Sequence, residues 1–249
     1  MTKKEITKTT EQAVAPTIAT PSHLEAWGTQ EISAKDLMIP KILPMQGMSK
    51  LVLNRKAQLG EFRDSLSGEL LGSIDTPLEI IPFHVERLWV INEKINGKWE
   101  YARTEAITPS NEGRAWEEGN FRYTWTYSFY VLIASKVAEG IPFPYVINFR
   151  STSVKGGKKL FNRMFVYNRQ LNKAPNCEAF MLSGKLDTND KGTYVVLDVY
   201  PSRPSNEVEQ RESFNMFKMI KAGKTKVDHS EDAQVTSTPN NHASENVEF

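Results

Sequence analysis

The sharpest alternation in the chain is FRYTWTYSFYVLI, residues Phe121–Ile133. Every odd position from 121 to 129 is aromatic: Phe121, Tyr123, Trp125, Tyr127 and Phe129. The even positions Arg122, Thr124, Thr126 and Ser128 are polar. Side chains alternate across a strand, so a strand here projects all five rings from one face. Such a face is either core or platform. Five rings span roughly 27 Å at ~3.4 Å per residue, more than a small barrel can bury. Phe129, Val131 and Ile133 are therefore expected in the core, and Tyr123 and Trp125 on a surface or on an extension of the sheet.

The same reading extends along the chain. Asp36–Gly47, with two prolines among apolar residues, reads as an extended edge. Gly60–Gly72 reads as a short hairpin turning at Ser67-Gly68. Leu78–Ile91 is a β-prone run interrupted by Pro82, and Asn96-Gly97 behind it is a type I′ hairpin signal, so Asn96–Arg103 should pair with it. Residues 104–120 read as an inserted loop. Pro144–Ser153 reads as a further strand. Residues 179–186 and 192–200 flank the turn Asp187–Lys191 as a second long hairpin.

Two stretches change period. In Gly156–Lys173, Leu160, Met164 and Leu171 share a helical face with Phe161 and Phe165 beside them. Asn206–Gly223 is a helix with Asn206 as its cap, Glu209 at the third position and Gly223 at its end. The expected fold is mainly β with helical additions: an OB-like β-barrel with long hairpins, one helix within the barrel series and one C-terminal helix. Residues 1–25 read as a disordered N-terminal segment, 26–223 as a single domain, and 224–249 as a flexible acidic tail.

Composition adds an asymmetry. From Asp228 to Phe249 there are five acids and no Lys or Arg; Lys and Arg total 31 and the other acids 25, leaving the remainder at +6. A basic body can attract a polyanion, and an acidic tail can compete for the same surface. No apolar stretch reaches the roughly 20 residues of a membrane helix, and the N-terminus lacks a secretory pattern. The cytoplasm is the expected setting, with the one cysteine, Cys177, inert.

Rings stand beside cations at Arg87 and Trp89, at Trp99, Tyr101 and Arg103, and at Phe149 and Arg150. Together with Arg122, Tyr123, Trp125 and Tyr127 they form what a single-stranded nucleic acid needs, rings for bases and cations for phosphates. Lys155, Lys158, Lys159 and Arg163 lie in STSVKGGKKLFNR, where Gly156-Gly157 offers a flexible approach to the helix. That cluster either holds phosphates or is a solvated helix start. The spacing is not that of a Walker loop.

Enzymatic chemistry leaves little trace. His23, His84, His229 and His242 are scattered, and His84 in its strand reads as partly buried. Asp75–Ile81 imitates half of a metal-dependent nuclease site, but no lysine follows at the needed spacing. No metal, cofactor or catalytic set is expected.

The segments DLMIPKILPMQGMSK, GEFRDSLSGELLG, LEIIPFHVERLWV and FRSTSVKGGKKLFNRM, followed by a tail ending in ENVEF, make the chain similar to phage and prophage single-stranded DNA-binding proteins. The resemblance implies an OB-type barrel, binding of single strands without sequence preference in replication or recombination, and recruitment of partner proteins by the tail through Glu245, Glu248 and Phe249. Two alternatives stand beside it: a phage recombination mediator or annealing protein, and a metal-dependent nuclease. Homo-oligomerisation is left open.

Overall fold

The run beginning at Leu78 becomes an 18-residue strand, Leu78–Ile95. Pro82 lies inside it and has no N–H for the ladder, so the strand shifts register between Pro82 and His84. The computed structural model describes residues 38–113, 115–190 and 192–222. In chain order they form β1 (Ile42–Pro44), α1 (Lys50–Leu53), β2 (Glu61–Asp64), β3 (Leu70–Ser73), β4 (Leu78–Ile95), β5 (Lys98–Ala106), β6 (Trp116–Glu118) and β7 (Phe121–Ile133). There follow α2 (Ala134–Ala138), β8 (Pro144–Arg150), α3 (Val154–Phe161), α4 (Asn168–Gln170), β9 (Glu178–Asn189), β10 (Gly192–Pro204) and α5 (Glu207–Lys221). A 3-10 turn, Ser151–Ser153, leads into α3, and a π-helical turn, Asn162–Tyr167, joins α3 to α4.

β4 and β7 pair antiparallel along nearly their whole length, from Ile80↔Ile133 to Glu93↔Phe121. Each carries two further strands end to end. β4 pairs β9 near its start and β5 near its end. β7 pairs β6 near its start and β8 near its end. β9 also pairs β10. The proximal half thus runs β10-β9-β4-β7-β8 and the distal half β5-β4-β7-β6, on one through-running ribbon. β1, β2 and β3 form a separate antiparallel sheet.

The proximal half curls into a half-barrel, and the expected closed OB-type barrel is not formed. The physical reason lies at its two edges. β10 has no strand on its outer side among the described residues. Its backbone groups there are met by side chains: Val195 N–H donates to Gln46 Oε1 (2.7 Å) and Leu197 N–H donates to Ser153 Oγ (2.9 Å). At the other edge, β8 meets only a single parallel bridge, Lys41↔Val146. Edges satisfied in this way do not need to find each other.

The concave face is filled by Phe62, Ile80, Phe129, Val131, Ile147, Phe149, Phe180 and Leu182 from the sheets and by Leu160 and Met164 from the helical segment. Each such fully buried side chain contributes roughly 1.5–3 kcal/mol. The opposite face of the proximal half has its own core, Ile81, Phe83, Tyr130, Leu132 and Val146, against which α5 packs Met216, Phe217 and Ile220. α5 begins with the anticipated capping box: Glu209 N–H donates to Asn206 Oδ1 (2.9 Å) and Asn206 N–H to Glu209 Oε2 (2.8 Å).

Other local expectations fare unevenly. Asn96 and Gly97 adopt φ of 51° and 78°, the I′ turn between β4 and β5. The stretch 104–120 is not simply a loop, since β5 runs to Ala106 and β6 occupies Trp116–Glu118. Gly156 and Gly157 are not a flexible approach; both are buried within α3. A Cβ at Gly156 would meet the Leu197 carbonyl oxygen at 2.8 Å, so the helix backbone sits directly on β10. The disordered N-terminal segment and the acidic tail, with Glu245, Glu248 and Phe249, lie outside the described residues.

Candidate nucleic-acid interface

The residues proposed from sequence fall into two groups. Cross-strand partners share a face, so the registers place Trp125 with Trp89, Tyr127 with Arg87 and Tyr123 with Ile91 on the aromatic side of the ribbon. Arg103 of β5 joins that side through Ile91. Tyr101, Arg122 and Trp99 lie on the other side, where Tyr101 is opposite Asn92 and the Arg122 guanidinium stands 4.2 Å from the Trp99 ring.

On the aromatic side the rings pack mainly on one another. Trp116 stacks on Tyr123 with centroids 4.1 Å apart and planes 6° apart, and its edge meets Trp89 at 4.8 Å. The row continues through Trp125 and Tyr127 to Phe161 in α3. Trp89 is 1% exposed, and its Nε1–H donates to the Asn111 carbonyl (3.0 Å) in the loop after β5. Tyr127 is buried as well. These two rings are core, with no face for a base. Tyr123, Trp125, Trp99 and Tyr101 are half-buried, and Trp116, which the sequence reading did not single out, keeps 37% of its surface.

The distal half is also electrically balanced. Between Glu86 and Arg122 seven acids face six cations. Arg87 pairs with Glu112 (3.3 Å), Arg103 with Glu105 (2.8 Å) and Arg122 with Glu117 (2.7 Å). A surface of this kind does not concentrate phosphates.

The second group lies on the helical segment. From Gly140 to Cys177 the chain carries Arg150, Lys155, Lys158, Lys159, Arg163, Arg169 and Lys173 and not one acid. Lys155, Lys158, Lys159, Arg169 and Lys173 are exposed, and Arg150 and Arg163 are half-buried. Among the described residues acids reach it from the flanking strands: Lys159 Nζ lies 2.9 Å from Asp198 of β10, both ends open to solvent, and Arg163 makes a two-pronged pair with Glu178 of β9 at 2.7 and 2.5 Å. The Arg163 hydrogen bonds hold the Glu178 carboxyl below its ordinary range, against the push of burial. Burial and the nearby Glu178 raise the Cys177 thiol, which leaves it little thiolate character.

Sequence reasoning missed Tyr167. It ends the π-helical turn, is 44% exposed, and carries the Arg163 guanidinium 4.0 Å from its ring centroid. Its spacing of four from Arg163 was a readable signal. Among the described residues no three His, Cys, Asp or Glu gather as a metal set, and no helix is long and apolar enough to cross a membrane.

A family model described as Pam3 phage gp34-like protein matches residues 8–231, and the chain belongs to that family. No curated protein and no solved structure matches it.

Proposed function

For this member of the Pam3 phage gp34-like family, we propose a non-catalytic role: binding single-stranded DNA without regard to sequence during phage replication or recombination, with the acidic tail contacting partner proteins. The strand lies along the α3–α4 segment rather than along the β7 ladder. One observation carries the reading, the run of seven cations without an acid between Gly140 and Cys177, laid over the concave face of a rigid sheet. Cations held in a row on a scaffold neutralise successive phosphates and release counterions. The aromatic row behind the helix stiffens that scaffold.

The test is a titration of fluorescent oligo-dT, oligo-rU and duplex DNA at two salt concentrations. Preference for the unpaired strands is expected, with a log–log salt slope of about −0.7 per neutralised phosphate. Absence of binding at low salt, or affinity indifferent to salt, sinks the reading. Labelled single- and double-stranded DNA should stay intact with Mg²⁺ or Mn²⁺; cleavage would make the protein a nuclease instead.

A further inference from the structure

Among the exposed aromatic rings of the described residues, Tyr167 alone joins three properties. It keeps an open surface, the residue being 44% exposed. One side is already occupied by the Arg163 guanidinium, which Glu178 grips through two hydrogen bonds, so the ring is backed rather than loose. And it lies inside the acid-free stretch, with exposed Arg169 and Lys173 following it.

The competing rings each lack one of these. Trp116 and Tyr123 spend a face on each other. Phe214 has Lys218 over it at 4.2 Å, a similar pairing, but stands on α5 among Glu207, Glu209 and Glu212. Tyr200 is exposed on β10, two residues from Asp198.

The helical register adds direction. Lys155, Lys159, Arg163 and Tyr167 are spaced four apart, so they follow one another along a side of the segment. Within α3 four residues advance the helix by about 6 Å, a step the extended sugar–phosphate chain can match nucleotide by nucleotide; the π turn carries the last step, from Arg163 to Tyr167. The stripe begins with cations for phosphates and ends with a ring for a base.

We infer that Tyr167 is the base-stacking residue of the strand-binding surface, taking an unpaired nucleobase on the side away from Arg163. The inference rests on the single-strand reading above and assigns it a residue. A ring backed by a guanidinium stacks any base, which suits binding without sequence preference.

The experiment uses the full chain with fluorescent oligo-dT and an abasic oligonucleotide of equal length, which offers phosphates without bases. Tyr167→Ala should weaken oligo-dT binding about 5- to 100-fold and leave abasic binding unchanged, whereas Tyr167→Phe should bind both like the wild type. Tyr167→Phe should unfold like the wild type, and Tyr167→Ala, which loses the stack on Arg163, should unfold cooperatively at a midpoint close to it. Wild-type affinity of Tyr167→Ala for oligo-dT, or equal losses on both ligands, overturns the inference while the functional reading survives. Failure of the wild-type chain to bind either ligand overturns both.

Discussion

A Cβ on Gly157 would lie 2.7 Å from the Cβ of Phe149, so α3 rests its bare backbone on β8. Tyr127 of β7 closes the same contact at 3.2 Å. Gly157→Ala gains up to about 1 kcal/mol of helix propensity but overpacks a site whose neighbours are anchored in the sheet, at a cost of about 1–3 kcal/mol. A lower thermal midpoint is expected, by ~2–4 °C per kcal/mol net. Calorimetry showing an unchanged or higher midpoint would mean that the helix can lift off the sheet.

Ser153 closes the open edge of β10 by accepting from Leu197 N–H. Ser153→Ala leaves that buried donor unmet, a loss of about 1–3 kcal/mol. The urea midpoint should fall while the slope of the transition holds, and the Leu197 amide should exchange faster. Unaltered exchange at Leu197 would show that another acceptor replaces the hydroxyl.

Glu178 links stability to pH. Its folded carboxyl sits below the ordinary 4.5 because of Arg163. The contribution is therefore present above the unfolded value and is lost as pH falls through the folded one. Glu178→Gln should be less stable than wild type near neutrality, with the gap narrowing in acid as the wild-type carboxylate protonates. A gap constant across the acid limb would assign the pair's value to shape rather than charge.

The two groups of cations separate by charge reversal. Lys155→Glu with Lys159→Glu should weaken oligo-dT binding and shrink the salt slope by about 0.7 for each phosphate that is no longer neutralised. Lys98→Glu with Arg103→Glu on the distal half should leave binding as it was. The opposite pattern would move the strand onto the distal sheet.

Asp198 pairs with Lys159, so in the proposed single-strand mode it competes with phosphate for that lysine. Exposed pairs add little stability, so Asp198→Asn should keep the thermal midpoint and tighten oligo-dT binding. Weaker binding would show the carboxylate to be orienting the lysine instead of occupying it.

Much of the fold was legible because it is written in local chemistry. Asn96-Gly97 has few alternatives to a I′ turn, Asn206 with Glu209 spells a capping box, and the alternation of Phe121–Ile133 admits only a strand. What was not legible depends on what meets a residue from far along the chain. Gly156-Gly157 looks the same whether it flexes or is pressed against Phe149 and Leu197. Whether a sheet closes depends on side chains such as Gln46 and Ser153 reaching β10 from distant segments. Arg87 and Arg163 read as free cations until Glu112 and Glu178 are brought to them from 25 and 15 residues away. The β7 ladder was correctly divided between core and sheet extension, but Trp89 packs against that extension and buries itself, which no period of two discloses. Tyr167 was signalled only by its spacing of four from Arg163; that it stands outside while Phe161 and Phe165 pack on the core is set by the fold.

β4 and β7 run without interruption through both halves of the larger sheet, so the molecule has no seam between its inner and outer parts. A cassette could not be cut out at that boundary. Shortening one strand would strip its neighbour of partners and leave Thr124 and Trp125 facing water together. Variation in relatives should therefore gather at the hairpin tips, while the length of the two central strands changes only in step.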